Sequence, residues 1–145
     1  MAPRGFTLVE LLVTISITVV LAILAMSALG NLVPDSQLTL ETDAVVSMLR
    51  SAQSKTLSGE EGGVWGVYLT STEATLFLGS SYASRQSAYD QVQDFSEPMS
   101  VSGIMEVVFE KRSGKAASSG SILLSSDITN ESRSITINTQ GRISY

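Results

Sequence analysis

The 145-residue chain has no cysteine and no histidine. Without cysteine there is no disulfide framework, thiolate metal site or cysteine nucleophile. Without histidine it lacks the commonest general base and the commonest metal ligand. Any catalytic site would have to be assembled from carboxylates, serine, lysine or tyrosine, and no motif supplies that geometry. There is no phosphate-binding glycine loop of the Walker type, and no GxGxxG follows a strand pattern. Positive charge is also scarce, with 9 bases against 14 acids. An acidic balance disfavours a broad nucleic-acid surface, whose usual footprint is a basic patch or stripe. The residue types therefore point to a non-enzymatic protein with no cofactor.

Ionisable residues are also missing from one continuous stretch. From Leu11 through Pro34 no side chain can carry a charge. As a helix, those two dozen residues would span about 36 Å at 1.5 Å per residue, enough for a hydrocarbon core of about 30 Å with some tilt. One acid, Glu10, stands at the entrance. A carboxylate in hydrocarbon costs about 2.5–3.5 kcal/mol on insertion scales, which makes it a functional candidate unless it stays wet at the interface. Arg4, on the other side of Glu10, gives a weak positive-inside signal that places the N-terminus in the cytoplasm.

The segment Gly5-Phe6-Thr7-Leu8-Val9-Glu10-Leu11-Leu12-Val13 resembles the class III signal of type IV pilins and of type II secretion pseudopilins. The resemblance implies cleavage by prepilin peptidase between Gly5 and Phe6, N-methylation of Phe6, and a role for Glu10 in assembly. There the Glu10 carboxylate would meet the Phe6 ammonium of a neighbouring subunit, pairing a charge that lipid penalises when alone. It further implies other pilin or pseudopilin subunits as partners, an inner-membrane assembly platform, and lipid around the helix before assembly. The implied location is a single pass through the cytoplasmic membrane, then an extracytoplasmic filament. Many pilins carry a C-terminal disulfide, and this chain departs from them in having none. Two rival readings of the N-terminus are a secretory signal cleaved near Ala28-Leu29-Gly30 and a plain uncleaved anchor. The first is weakened because the apolar run exceeds the usual 7–15 residues of such signals and Glu10 interrupts its start.

The remaining sequence divides the chain into a leader (1–5), a membrane and assembly helix (6–34), an amphipathic continuation (35–58) and a β-rich domain (59–145). Gly30 and Pro34 mark a weak point in the helix. Beyond it Asp35 or Ser36 can cap, and Leu38, Val45, Leu49 and Ala52 recur at helical spacing, with Gln37, Glu41, Asp43, Arg50 and Gln53 expected on the wet face. After Gly59 the runs at 64–69, 74–78, 104–109, 121–124, 134–138 and 142–145 read as strands. Residues 79–98 read as a long polar connection with a helical turn.

This order resembles a subgroup of minor pseudopilins and minor pilins, the one that contains the H-type pseudopilins of type II secretion and the FimT-type pilins. The expected fold class is α+β, a long N-terminal helix whose second half packs on an antiparallel β-rich domain, often a two-sheet sandwich. Some members of that subgroup bind DNA, with a Gly-Arg-x-Arg pattern near the C-terminus. Here Gly141-Arg142-Ile143-Ser144 holds one of the two arginines, and Lys111, Arg112 and Lys115 form the one basic cluster. Weak DNA contact through these four residues is the alternative function, which the acidic balance disfavours. Asp90, Asp94 and Glu97 supply oxygens of the kind calcium takes, but without EF-hand spacing.

Overall fold

The computed structural model of the chain describes residues 7–29 and 32–145, with side chains described at 7–25 and 37–145. Two compact units result, Met1–Pro34 and Asp35–Tyr145. Helix α1 runs from Leu8 to Leu29 and helix α2 from Leu32 to Ser58. Pro34 falls in the first described turn of α2, a position at which proline is tolerated. The residues expected to cap, Asp35 and Ser36, therefore lie inside the helix. Gly59 ends α2 in the left-handed conformation (φ 69°), which glycine adopts without penalty.

Eight strands follow: β1 (Trp65–Leu69), β2 (Glu73–Leu78), β3 (Gln91–Asp94), β4 (Met99–Gly103), β5 (Glu106–Val108), β6 (Gly120–Ser126), β7 (Ser132–Ile137) and β8 (Ile143–Ser144). They form two antiparallel four-stranded sheets, ordered β3-β2-β1-β5 and β4-β6-β7-β8. The architecture is α+β with two sheets, as expected. The stripe on α2 is buried as its spacing predicts: Leu38, Val45, Leu49 and Ala52 join one core with Trp65, Val67, Leu69, Leu76 and Leu78 of the first sheet and Ile122, Leu124, Ile135 and Ile137 of the second.

Two polar residues expected on the wet face of α2 are instead engaged in the fold. Glu41 is buried, and its Oε1 accepts from the backbone N–H (2.9 Å) and hydroxyl (2.8 Å) of Ser96. Gln53 is half-buried and its Nε2 donates to the carbonyls of Gly114 (2.8 Å) and Gly141 (2.9 Å). Helical spacing alone cannot show that loops return to those positions.

The connection 79–98 is more ordered than its composition suggests. It contains two short 3-10 turns and strand β3. Tyr82 stacks on Tyr68 with ring centroids 4.1 Å apart and meets Phe77 edge-on at 5.6 Å. Arg85 lies over the Tyr82 ring at 3.7 Å and its Nε donates to Asp90 at 2.7 Å. The Tyr82 N–H donates to Glu106 on β5. The connection thus covers the face of the first sheet that points away from the core. That cover explains why Phe77 and Thr75 are buried although their neighbours in sequence face inward. Replacing Tyr82 by Ala removes both ring contacts, and urea denaturation should show a loss of about 1–3 kcal/mol with the sheets retained.

Candidate assembly segment and basic end

Gly5 and Phe6, the residues of the expected cut, lie outside the described residues. Thr7 is the first described position, and its hydroxyl accepts from the N–H of Glu10 at 3.3 Å while its carbonyl accepts from the N–H of Leu11 at 3.2 Å. Thr7 therefore caps α1, and Thr7-Leu8-Val9-Glu10 has the T-x-x-E spacing of a capping box. Glu10 sits in the first turn, where the exposed amide hydrogens make a carboxylate favourable. The T-x-x-E spacing is the sequence signal for this local role, which the reading of Glu10 as a lone membrane acid leaves out.

Along α1, three hydroxyls are satisfied by the helix itself. The hydroxyls of Thr14, Ser16 and Thr18 donate back to the carbonyls of Leu11, Leu12 and Thr14 at 2.9, 2.8 and 2.7 Å. Every side chain from Thr7 to Ala25 is exposed, among them Leu11, Ile15, Val19, Leu21 and Leu24. The 22 residues of α1 span about 33 Å, long enough and apolar enough to cross a bilayer. Its apolar surface finds no cover among the described residues and requires an apolar solvent outside the chain.

Four basic residues of the later sequence come together at one end of the Asp35–Tyr145 unit. Lys111, Arg112 and Lys115 occupy the loop between β5 and β6, and Arg142 the turn between β7 and β8. All four are exposed. Gln53 ties the two segments by donating to both Gly114 and Gly141. The approach is close: a Cβ on Gly141, whose φ is +79°, would lie 2.2 Å from the Gly114 carbonyl. Lys111 Nζ donates to the Gly62 carbonyl, and the Arg142 N–H to Asn138 Oδ1. Sequence reasoning could not see the contact between segments nearly thirty residues apart, because no covalent or hydrophobic signal marks it.

The acids considered for calcium are not assembled into a site. Asp90 precedes strand β3 and Asp94 ends it, so about four residues of extended chain, or about 13 Å, separate them. Asp90 is engaged by Arg85, and that ion pair raises the Arg85 pKa above its ordinary value, chiefly through the hydrogen bond. No group of three or more metal-ligating side chains occurs among the described residues.

Residues 1–30 match the family model of the prokaryotic N-terminal methylation motif. The match supports the resemblance to the type IV pilin-like superfamily over that segment, and with it processing by a prepilin peptidase and anchoring through the N-terminal helix. No curated protein and no solved structure matches the chain.

Replacement of Gln53 by Ala removes two donated hydrogen bonds and leaves two carbonyls to find other donors. Stability should fall by about 1–3 kcal/mol, and amide exchange should accelerate in the 111–116 and 138–142 segments before it does in β1 and β2.

Proposed function

We propose that the chain is a prepilin-like structural subunit, of the minor class, of a type IV pilus or a type II secretion pseudopilus. Prepilin peptidase cuts between Gly5 and Phe6, Phe6 becomes the methylated N-terminus, and Glu10 pairs with the Phe6 ammonium of a neighbour. The observation that carries this reading is the uncovered apolar surface of α1, headed by a capped first turn that contains the one acid, within a matched methylation motif. Such a helix is solvated twice, first by lipid and then by the helices of other subunits. The folded unit is carried across the cytoplasmic membrane, the N-terminus staying inside, and ends in the extracytoplasmic filament. The domain boundaries 1–5, 6–34, 35–58 and 59–145 belong to this proposal, as does the likeness to the H-type pseudopilins and FimT-type pilins.

Intact-mass analysis after co-expression with a prepilin peptidase should show loss of residues 1–5 and one added methyl group on Phe6. Retention of the leader would overturn the reading.

Two substitutions separate the roles of Glu10. Glu10→Gln keeps a residue compatible with the capping box but removes the charge; Thr7→Ala removes the cap, worth about 1 kcal/mol, and keeps the charge. Filament incorporation, measured by recovery in sheared filament fractions, should fail for Glu10→Gln and persist for Thr7→Ala. The reverse result would assign Glu10 to helix initiation instead of pairing.

A second reading, a DNA-binding minor pilin of a competence pilus, is favoured by one observation: the Gln53 bridge sets Arg142 beside the loop of Lys111, Arg112 and Lys115. Four charges reach only a few phosphates, so binding would fall steeply with salt. Absence of duplex or single-strand binding at low salt removes this reading.

A further inference from the structure

Charge on the Asp35–Tyr145 unit is sorted along its long direction, and the register of the strands shows how. At one end lie the C-terminus of α2, the start of β1 and the end of β5, joined by pairing of Gly66 with Val108. The loop that precedes β6 and the turn that follows β7 are there too, since Gln53 donates to both Gly114 and Gly141. This end carries Lys55, Lys111, Arg112, Lys115 and Arg142 against Glu60, Glu61 and Glu110. Its acids have local partners: Glu60 is paired with Lys55, Glu61 accepts from the Tyr89 hydroxyl and Glu110 from Ser113.

The opposite end gathers the β1–β2 turn, the β3–β4 turn and the β6–β7 turn. Phe95 and Met99 donate their N–H groups to Thr72 and Ser71, Met99 pairs with Ser126, and the Ser100 hydroxyl donates to Asp127. Glu41 holds Ser96 against α2 at this level. The end carries Glu73, Asp94, Glu97, Asp127 and Glu131 against Arg133. Asp94, Glu97 and Asp127 are exposed. Glu41 and Gln53, which anchor the two ends to α2, are twelve residues or about 18 Å apart along the helix. That exceeds the screening length of about 8 Å at physiological salt, so neither end cancels the other.

We infer that the basic end (Lys111, Arg112, Lys115, Arg142) docks on the acidic end (Asp94, Glu97, Asp127) of a second copy of this chain. The complementarity selects the geometry. A two-fold contact between like ends brings like charges together and is disfavoured, whereas head-to-tail stacking brings opposite ends into contact. A head-to-tail contact leaves one unused end on each side and propagates, giving an open filament unless rotation closes it. The inference rests on the proposed filament role for one thing only: copies anchored at the same depth in a bilayer present like ends side by side, and assembly supplies the axial offset.

The absence of native cysteine allows a clean test on the full chain in detergent. Ser113→Cys places a thiol on the basic loop and Ile128→Cys places one beside Asp127, both at exposed positions. Differently tagged S113C and I128C proteins, mixed in equal amounts and mildly oxidised, should form a disulfide heterodimer well beyond the roughly twofold excess over either homodimer that random pairing gives. Salt of about 1 M, which shortens the screening length to about 3 Å, should suppress it. Adding Lys111→Glu and Arg112→Glu to the S113C protein should lower the yield by about tenfold, within the range electrostatic steering supplies. Adding Asp94→Lys and Asp127→Lys to the I128C partner should restore it, which a misfolded variant cannot do. A heterodimer at no more than the random twofold excess, or one indifferent to both charge reversals, would overturn the inference. Leader removal by prepilin peptidase is scored separately on the same proteins, so a processed chain that fails to cross-link removes this contact and leaves the subunit role standing.

Discussion

Both sheets depend on one apolar stripe. Leu38, Val45, Val46, Leu49 and Ala52 run along α2 and bury against strands of each sheet, so the helix stands in for the facing layer that either sheet would otherwise lack. The two ends of the unit then take their form from polar residues on the same helix. Glu41 fixes the turn at Ser96, and Gln53 fixes the loops at Gly114 and Gly141. One helix therefore supplies the core with its apolar face and both loop clusters with its flanking polar side chains.

The two helices illustrate how burial, more than composition, separates function from fold. On α2 the apolar residues occupy a stripe and vanish into the core. On α1 those described, up to Ala25, run all round and are exposed, with the hydroxyls of Thr14, Ser16 and Thr18 turned back onto the helix's own carbonyls. An evenly apolar surface suits a surrounding medium of lipid or helices, while a stripe suits a single packed partner. Glu10 belongs to the first helix and gains from its N-terminal amides.

Much of this was legible in the sequence because it is periodic or local. The buried positions of α2, the β1–β2 hairpin and the alternation of Ile135 and Ile137 follow from spacings within a dozen residues. The resemblance around Gly5, Phe6 and Glu10 is likewise a contiguous pattern, and residues 1–30 match the corresponding family model. What escaped was non-local. Strands β3 and β4 have few apolar residues to announce them, Gln91–Asp94 being exposed throughout. They form because β2 and β6 offer unpaired edges. The run at 104–109 reads as one strand, yet β5 is only Glu106–Val108: Phe109 makes a single bridge to Ala116, and the chain crosses between sheets at Ile104 and Met105. The Gln53 bridge depends on two glycines brought together from separate turns, for which no spacing rule exists.

That crossing has a consequence for how the unit forms. The chain lays β4 into the second sheet before returning with β5 to finish the first, so the strands of the two sheets are interleaved in sequence. The first sheet waits for β5 and the second for β8, and the strip of chain joining β3 to β5 belongs to both. Neither sheet can be completed as a free-standing hairpin stack, and partial unfolding of one strips an edge from the other. Such a topology ties the unit into a single cooperative block with long sequence separations between partners, which favours slow but all-or-none folding. The Asp35–Tyr145 unit would then be either folded or not, with little in between.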